Sequence, residues 1–316
     1  MKDEKLGGHK PIMNGKVRNM YDVPEREDLI AVFTTDRVSA FDKVVGEISG
    51  RGIILNRISN HWKNMVTNSC IVGNDIFLTN PRQCLELLGI KNFKKYEGRI
   101  LIAKKAKVIP VEFIVRGYIT GSLWEDYSGR GSLPGKYLDN DLPGALLQSQ
   151  ALPEPIFTPT TKASVGFHDE PLSYEEMVRV IAEWLKDEKI DIGKSNFASP
   201  RVLATVVRAL SLEMYSMAKR VLLEKGIILA DTKFEFGLVW SENSQTWDLR
   251  VVDEVLTPDS SRFWSADIYA VGRSQSSLDK QLLRNWVKDN PGKDIPDFLV
   301  SSVYSVYADM AELICK

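Results

Sequence analysis

The sequence predicts an α+β fold, built as two lobes or as one large domain with insertions, and three observations predict it. A length of 316 residues exceeds most single compact cores. Strand-like segments recur from Gly15 to Val115 and again in a pair spanning Leu229–Gly237 and Trp247–Val255. Helical periodicity gathers between and after these, most strongly from Ser173 to Gly226 and near the C-terminus.

Composition narrows the function. Hydrophobic residues make up 44% and charged residues 26% of the chain, the balance of an ordinary soluble globular protein. A net charge of −1 argues against nucleic-acid binding through bulk electrostatics, while leaving room for a local basic pocket. Cys70, Cys84 and Cys315 are scattered, with neither disulfide nor zinc spacing. No apolar run reaches membrane-spanning length, and Met1-Lys-Asp-Glu-Lys is not a signal peptide, so a cytoplasmic protein with no membrane partner is expected.

Gly15–Tyr21 alternates, with Lys16 and Arg18 on one face, and a Pro-and-acid turn at Val23–Asp28 joins it to an apolar strand at Leu29–Thr34. Such a pair, entered through a glycine, can lie over a triphosphate. Because no GxxxxGK[ST] occurs, a purely structural hairpin is the plainer reading of these residues alone. Thr34–Asp42 reads as a polar loop and Leu55–Val66 as an amphipathic helix. Leu101–Val108 and Val111–Val115 are strands separated by Pro110. Arg116 follows directly, and Gly121-Ser122 opens a helix at Leu123–Tyr127. An arginine at a strand end beside free helix N–H groups makes an anion pocket.

Residues 128–156 show no clear period, and Phe157–Ala163 and His168–Glu170 are polar islands in that region. His168 reads as a loop residue, since no metal-ligand spacing surrounds it. Ser173-Tyr-Glu-Glu is a capping box opening a helix to about Lys186. Ser199-Pro200 opens the longest helix, which Gly226 stops, and its Val202, Val206, Leu210, Met214, Met217 and Val221 form a core stripe. Ser277–Val287 and Val300–Ile314 are two further helices.

The late strand pair carries the densest chemistry. Asp231, Lys233, Glu235 and Gly237 share one face; Thr232, Phe234, Phe236 and Leu238 share the other. With Ser241–Gln245 as the turn and symmetry about Asn243, Lys233 faces Asp253 and Glu235 is its diagonal neighbour. Diagonal Cβ atoms lie roughly 7 Å apart, close enough for Glu235 and Asp253 to share one hard cation such as the Mg²⁺ of a nucleotide. A solvated hairpin with a Lys233–Asp253 ion pair is the competing reading. The flank from Val255 to Arg262 weighs against it, because its Pro-Asp-Ser-Ser-Arg turn suits a phosphate.

Five motifs resemble, in order, those of the SAICAR synthetase (phosphoribosylaminoimidazole-succinocarboxamide synthase) family in its longer, yeast-like form. They are Gly15-Lys-Val-Arg-Asn-Met-Tyr, Thr35-Asp-Arg-Val-Ser-Ala-Phe-Asp, Val115-Arg-Gly-Tyr-Ile-Thr-Gly-Ser, Leu229-Ala-Asp-Thr-Lys-Phe-Glu-Phe-Gly and Asp253-Glu-Val-Leu-Thr-Pro-Asp-Ser-Ser-Arg. The resemblance implies a two-lobed ATP-grasp-like fold. Residues 1–110 would form an antiparallel N-terminal lobe covering ATP, and residues 111–316 an α+β lobe with the substrate and Mg²⁺ site and the C-terminal helices. It implies ligation of L-aspartate to the carboxylate of carboxyaminoimidazole ribotide (CAIR), giving SAICAR, ADP and phosphate, and a monomer is expected.

By the same resemblance, Gly15, Lys16 and Arg18 approach the ATP phosphates, and Lys104 and Ala106 meet adenine. Glu235 and Asp253 hold Mg²⁺, with Lys233 as their catalytic neighbour. Arg116, Ser122, Asp231, Arg262 and Arg284 surround the ribotide and its phosphate, and Ser39, Asp42, Lys162 and Asp169 lie near the substrates. Asp42 and Asp169 are the candidates for the base that neutralises the attacking amine. The turn Val23-Pro-Glu-Arg-Glu-Asp28 and Lys43 after Asp42 depart from the family pattern. A small-molecule kinase and a non-catalytic nucleotide-binding module are the alternatives; the kinase would form product without aspartate.

Overall fold

Alternation in the first hundred residues builds an antiparallel sheet. In the computed structural model, which describes residues 6–40, 43–91, 93–94, 96–129, 131, 135–162, 169–278 and 280–316, its strands are β1 (Met13–Asn14), β2 (Arg18–Val23) and β3 (Arg26–Thr34), followed later by two more. Asp42 and His168 lie outside the described residues. After β3 come β4 (Arg37–Ala40), β5 (Lys43–Glu47), α1 (Arg51–Asn68) and β6 (Gly73–Asn74). Then follow β7 (Ile76–Leu78), α2 (Pro81–Leu87) and β8 (Ile100–Lys104), and the sheet order is β1-β2-β3-β8-β7. One face of this sheet buries Tyr21, Phe33, Ile100 and Ile102 against Cys84 and Leu85 of α2.

Two elements here differ from expectation. Residues 34–42 are not wholly loop: Arg37–Ala40 pairs with Lys43–Glu47 as a two-stranded ribbon. Four buried residues, half of them polar, are too few to register as a period. The helix α2 was not expected either, although Asn80 accepts from the Gln83 amide and Pro81 fills the first turn.

The second sheet is organised on one long strand. After β8 the chain forms β9 (Lys107–Val108), β10 (Val111–Tyr118), α3 (Gly121–Gly129), β11 (Gly135–Tyr137), β12 (Asn140–Leu142), β13 (Ala151–Phe157) and β14 (Thr160–Thr161). These are followed by α4 (Tyr174–Asp187), α5 (Pro200–Glu224), β15 (Ile227–Ser241), β16 (Thr246–Val252), β17 (Ser261–Ser265), α6 (Gln281–Asp289) and α7 (Asp297–Ile314). β11 and β12 pair with each other as a separate ribbon, and β6 joins the second sheet beside β16. β15 pairs with β17 and then β16 along one edge, and with β10 and then β9 along the other. The region 128–156 thus holds three short strands that its irregular composition hid.

Capping follows the sequence. Ser173 and Glu176 form the capping box of α4, and Ser199 caps α5 through the Val202 amide, with Gly226 left-handed at its end. The main core packs Leu203, Val207, Met214 and Ala218 of α5 against Leu229, Phe234 and Phe236 of β15, with α1 and α7 completing it. A register shift between Leu229 and Asp231 explains how an odd-numbered and two even-numbered residues reach the same core.

The central hairpin is present, but shifted by one residue from the expected register. Glu235 pairs with Val252 and Ser241 with Thr246, so the turn is centred between Asn243 and Ser244 and Lys233 does not face Asp253. A one-residue slip moves every side chain to the other face. Continued in this register, Asp253 would stand opposite Phe234, on the core face. Pairing instead ends at Val252, and Asp253 turns out of the strand with φ of 54°. That left-handed residue carries the carboxylate away from the core.

β10 bulges at Gly117, between Arg116 and Tyr118, where Tyr215 of α5 comes in to donate to the Leu229 carbonyl at 2.8 Å. A Cβ on Gly117 would lie 1.9 Å from the Tyr215 hydroxyl oxygen. Gly117→Ala should therefore destabilise the fold by about 1–3 kcal/mol, read from the urea midpoint at unchanged m-value. An unchanged midpoint would mean that Tyr215 yields without cost.

Candidate active site

A cleft of about 1670 Å³ opens between the two sheets. Its upper lip is the turn ahead of β2, where the Gly15 amide donates to the Arg18 carbonyl at 2.7 Å. A Cβ on Gly15 would stand 2.7 Å from that same oxygen, so the turn requires glycine. Arg37 braces it by donating to the Gly15 carbonyl at 2.9 Å and to Asn19 Oδ1 at 2.5 Å. Lys16 and Arg18 both line the cleft, with the apolar side chains of Met20, Val32 and Leu101 beside them. Lys104 and Ala106 line its rear; the Lys104 amide donates to the Asp75 carbonyl at 2.8 Å. Ala106 packs under Gly237, where a Cβ would meet it at 3.0 Å.

Carboxylates and cations alternate across the floor. Arg18 of β2 reaches over to Asp253 at 2.7 Å and to Glu254 at 3.4 Å, and Thr257 donates to Glu254 at 2.7 Å. On β15, Lys233 bonds Glu235 Oε1 at 2.8 Å and Glu112 of β10 at 2.9 Å, while Lys162 bonds Glu235 Oε2. Burial works to raise the Asp253 carboxyl, but Arg18, Lys233 and Lys162 outweigh it and hold Asp253 well below the usual carboxylate range. Burial opposes the charge of Lys233 as well, yet Glu235, Glu112 and Asp253 raise it well above the ordinary lysine value. For Glu112 and Glu254 burial prevails over the neighbouring cations, and both carboxyls are raised.

Glu235 and Asp253 thus act on the same two lysines although they are not cross-strand partners. Among the described residues no three His, Cys, Asp or Glu side chains form a metal-sized group. Two carboxylates lining one cleft are the donor type of an ion that takes its other ligands from water and phosphate oxygens, as Mg²⁺ does.

A second cluster lies toward the start of β15. Arg116, Asp231 and Arg262 are direct neighbours across β10, β15 and β17. Arg262 bonds Asp231, and Arg116 approaches it at 3.4 Å while also donating to Thr158 at 3.0 Å and Ser122 at 3.4 Å. Burial lowers the Arg116 guanidinium from its ordinary value, with Asp231 opposing and Arg262 adding to the shift. Two guanidinium groups share one carboxylate, so one positive charge is left over for an anion. The start of α3 adds free N–H groups, and Gly121 (φ 59°) permits the approach, since a Cβ there would lie 2.9 Å from the Arg262 nitrogens.

Ser39, Ser122, Lys162, Asp169, Arg262 and Arg284 all line the cleft, whereas Arg116 and Asp231 stand behind it, bonded to residues that do. Several participants escaped the sequence reading: Glu112, Glu254, Asp259 and Lys280. Asp259 binds Arg51, pairs with Lys280 at 3.4 Å and accepts from Tyr307 at 3.0 Å, tying α1, the residue ahead of α6, and α7 to the loop between β16 and β17. The adjacent acids Asp253-Glu254 were the one available signal; the others depend on pairings between distant segments.

The SAICAR synthetase family model matches residues 11–296. The chain is 36% identical over 315 residues to a phosphoribosylaminoimidazole-succinocarboxamide synthase of Lachnospira eligens, covering 99% of this chain and 97% of that one. Among solved structures it is similar to the SAICAR synthase of Saccharomyces cerevisiae complexed with SAICAR, with a TM-score of 0.79, 34% identity and coverage of 99% and 97%. A SAICAR synthetase in complex with ADP shares the fold at a TM-score of 0.61 and 22% identity, covering 96% of each chain. No described helix is long and apolar enough to cross a membrane.

The Asp253 shift has a pH consequence. Between its lowered value in the fold and the ordinary 3.8, the unfolded chain binds the proton and the fold does not, so stability rises with pH. The contribution is complete above the ordinary value and is lost as pH falls below it. Asp253→Asn removes it, so the gap in urea midpoint between parent and variant should narrow from about pH 6 to about pH 3. A gap independent of pH would contradict the charge pairing.

Proposed function

The chain belongs to the SAICAR synthetase family, ATP-dependent amide-forming ligases of purine biosynthesis, and on that premise we propose how its cleft joins L-aspartate to CAIR. The observation that carries the proposal is the placement of two opposite devices on one strand: paired guanidiniums at Asp231 and a cation-seeking acid cluster at Glu235. ATP lies beneath the N-terminal sheet, its base against Lys104 and Ala106 and its phosphates toward Lys16 and Arg18. One relative is complexed with ADP and the yeast enzyme with SAICAR, in keeping with a cleft that takes both a nucleotide and a ribotide. Ser122 and Arg262 seat the ribotide phosphate, with Arg116 behind them bonded to Ser122, and Arg284 lines the same cleft.

A carboxylate is a poor electrophile, so the CAIR carboxylate oxygen first attacks the γ-phosphorus and ADP leaves, giving an acyl phosphate. The aspartate amine then attacks the acyl carbon, loses a proton and expels phosphate. In-line phosphoryl transfer requires chiefly positioning and charge neutralisation. Lys233, kept protonated by Glu112 and Glu235, supplies fixed positive charge. Glu235 and Asp253 would hold Mg²⁺, whose chemistry is to neutralise phosphate oxygens. Asp169 lines the cleft and is the described candidate for accepting the amine proton.

ADP release should require ATP, CAIR and aspartate together; turnover without aspartate would favour the kinase alternative. Glu235→Gln should cost roughly 3 kcal/mol or more in kcat/KM, and near-normal kcat/KM would count against its role. Arg262→Ala should raise the KM for CAIR more than that for ATP, and equal increases would undo its assignment to the ribotide.

A further inference from the structure

Glu235 is buried, and each of its carboxylate oxygens is taken by a different lysine. Those lysines are not equivalent. Lys233 sits inside β15, its amide bonded to the Ser260 carbonyl at 3.0 Å and its ammonium shared with Glu112. Lys162 arrives from just beyond β14, with a side chain 41% exposed against 25% for Lys233. A long, half-exposed ammonium is held far less firmly than one locked between two carboxylates in a sheet.

We propose that Lys162 is the exchangeable counter-ion of this acid cluster, occupying Glu235 until a divalent ion binds and giving way to it. The inference rests on the assignment of that ion to Glu235 and Asp253. Charge counting supports the exchange. Among the ion pairs of the described residues, Glu112, Glu235, Asp253 and Glu254 face Arg18, Lys233 and Lys162, four acids against three bases. Without Lys162 the deficit is two unit charges, which one divalent ion supplies. Retaining both would place an ammonium and a doubly charged ion against the same carboxylate oxygen, and their repulsion is strong at such range.

Lys162 also helps to hold the Asp253 carboxyl low, so its ammonium stands where both acids feel it. After exchange the ammonium remains on the cleft wall, where phosphate oxygens would be its next partners. The residue then has two roles in sequence: it keeps a buried carboxylate paired before loading, and it offers a free cation to the anionic substrates afterwards.

The test is direct Mn²⁺ binding to the full chain without nucleotide, followed by the electron paramagnetic resonance signal of free Mn²⁺. Lys162→Met should bind Mn²⁺ about five- to tenfold more tightly than the parent, because a competing cation is gone. Lys162→Arg, which keeps the charge, should stay near the parent, and Glu235→Gln should lose binding. If Glu235→Gln abolishes binding while Lys162→Met fails to strengthen it, the exchange is overturned and the metal assignment survives. If Glu235→Gln leaves the affinity intact, or no binding is detected in any of the four proteins, both are overturned.

Discussion

Arg18 is the hinge pin of the molecule's charge arrangement. It leaves the start of β2 in one sheet and ends between Asp253 and Glu254, just past β16 of the other, nearly removed from solvent. A buried guanidinium costs several kcal/mol unless paired, and a buried carboxylate behaves likewise. Each side of the cleft therefore satisfies a need created on the other. The glycine turn at Gly15 and the left-handed residue at Asp253 are the two backbone departures that bring these groups together.

The long strand β15 then sets the spacing. Asp231 and Glu235 are four residues apart, or about 13 Å along a strand. At one end lies an excess of guanidinium charge, at the other an excess of carboxylate charge. On the proposed reading, an anionic ribotide and a metal-bearing polyphosphate would be directed to separate stations on one rigid element. Because β15 is paired along both edges, neither station can drift relative to the other. The loop from Asp253 to Ser260 joins the two stations a second time, and Asp259 anchors it to α1, to α7 and to Lys280 at the start of α6.

Local features were legible in the sequence wherever the chemistry is local. The capping box at Ser173, the Ser199-Pro200 start and the Gly226 stop all occur where the residues place them. The late hairpin was legible as an element, but its register was not. Two strands with mixed faces accept neighbouring registers almost equally, and nothing in the residue pattern foretells a left-handed Asp253. The row Arg116–Asp231–Arg262 joins three strands from distant parts of the chain. Arg116 and Arg262 could be picked out as anion-binding types, but their common carboxylate could not. The roles of Lys16, Lys104 and Arg284 came from the motif resemblance, and their places on the cleft are a matter of geometry. Lys162 illustrates the remainder: its link to Glu235 crosses 73 positions.

The central claim is that two acids, one inside a strand and one just past the end of its neighbour, close on a single divalent ion at the nucleotide phosphates. Crystals grown with Mn²⁺ and ADP test it through the anomalous signal of the metal. The account predicts one manganese peak about 2.0–2.3 Å from an oxygen of Glu235 and an oxygen of Asp253, with ADP oxygens completing the shell. Manganese held by ADP with only one of those side chains, or with neither, would contradict it.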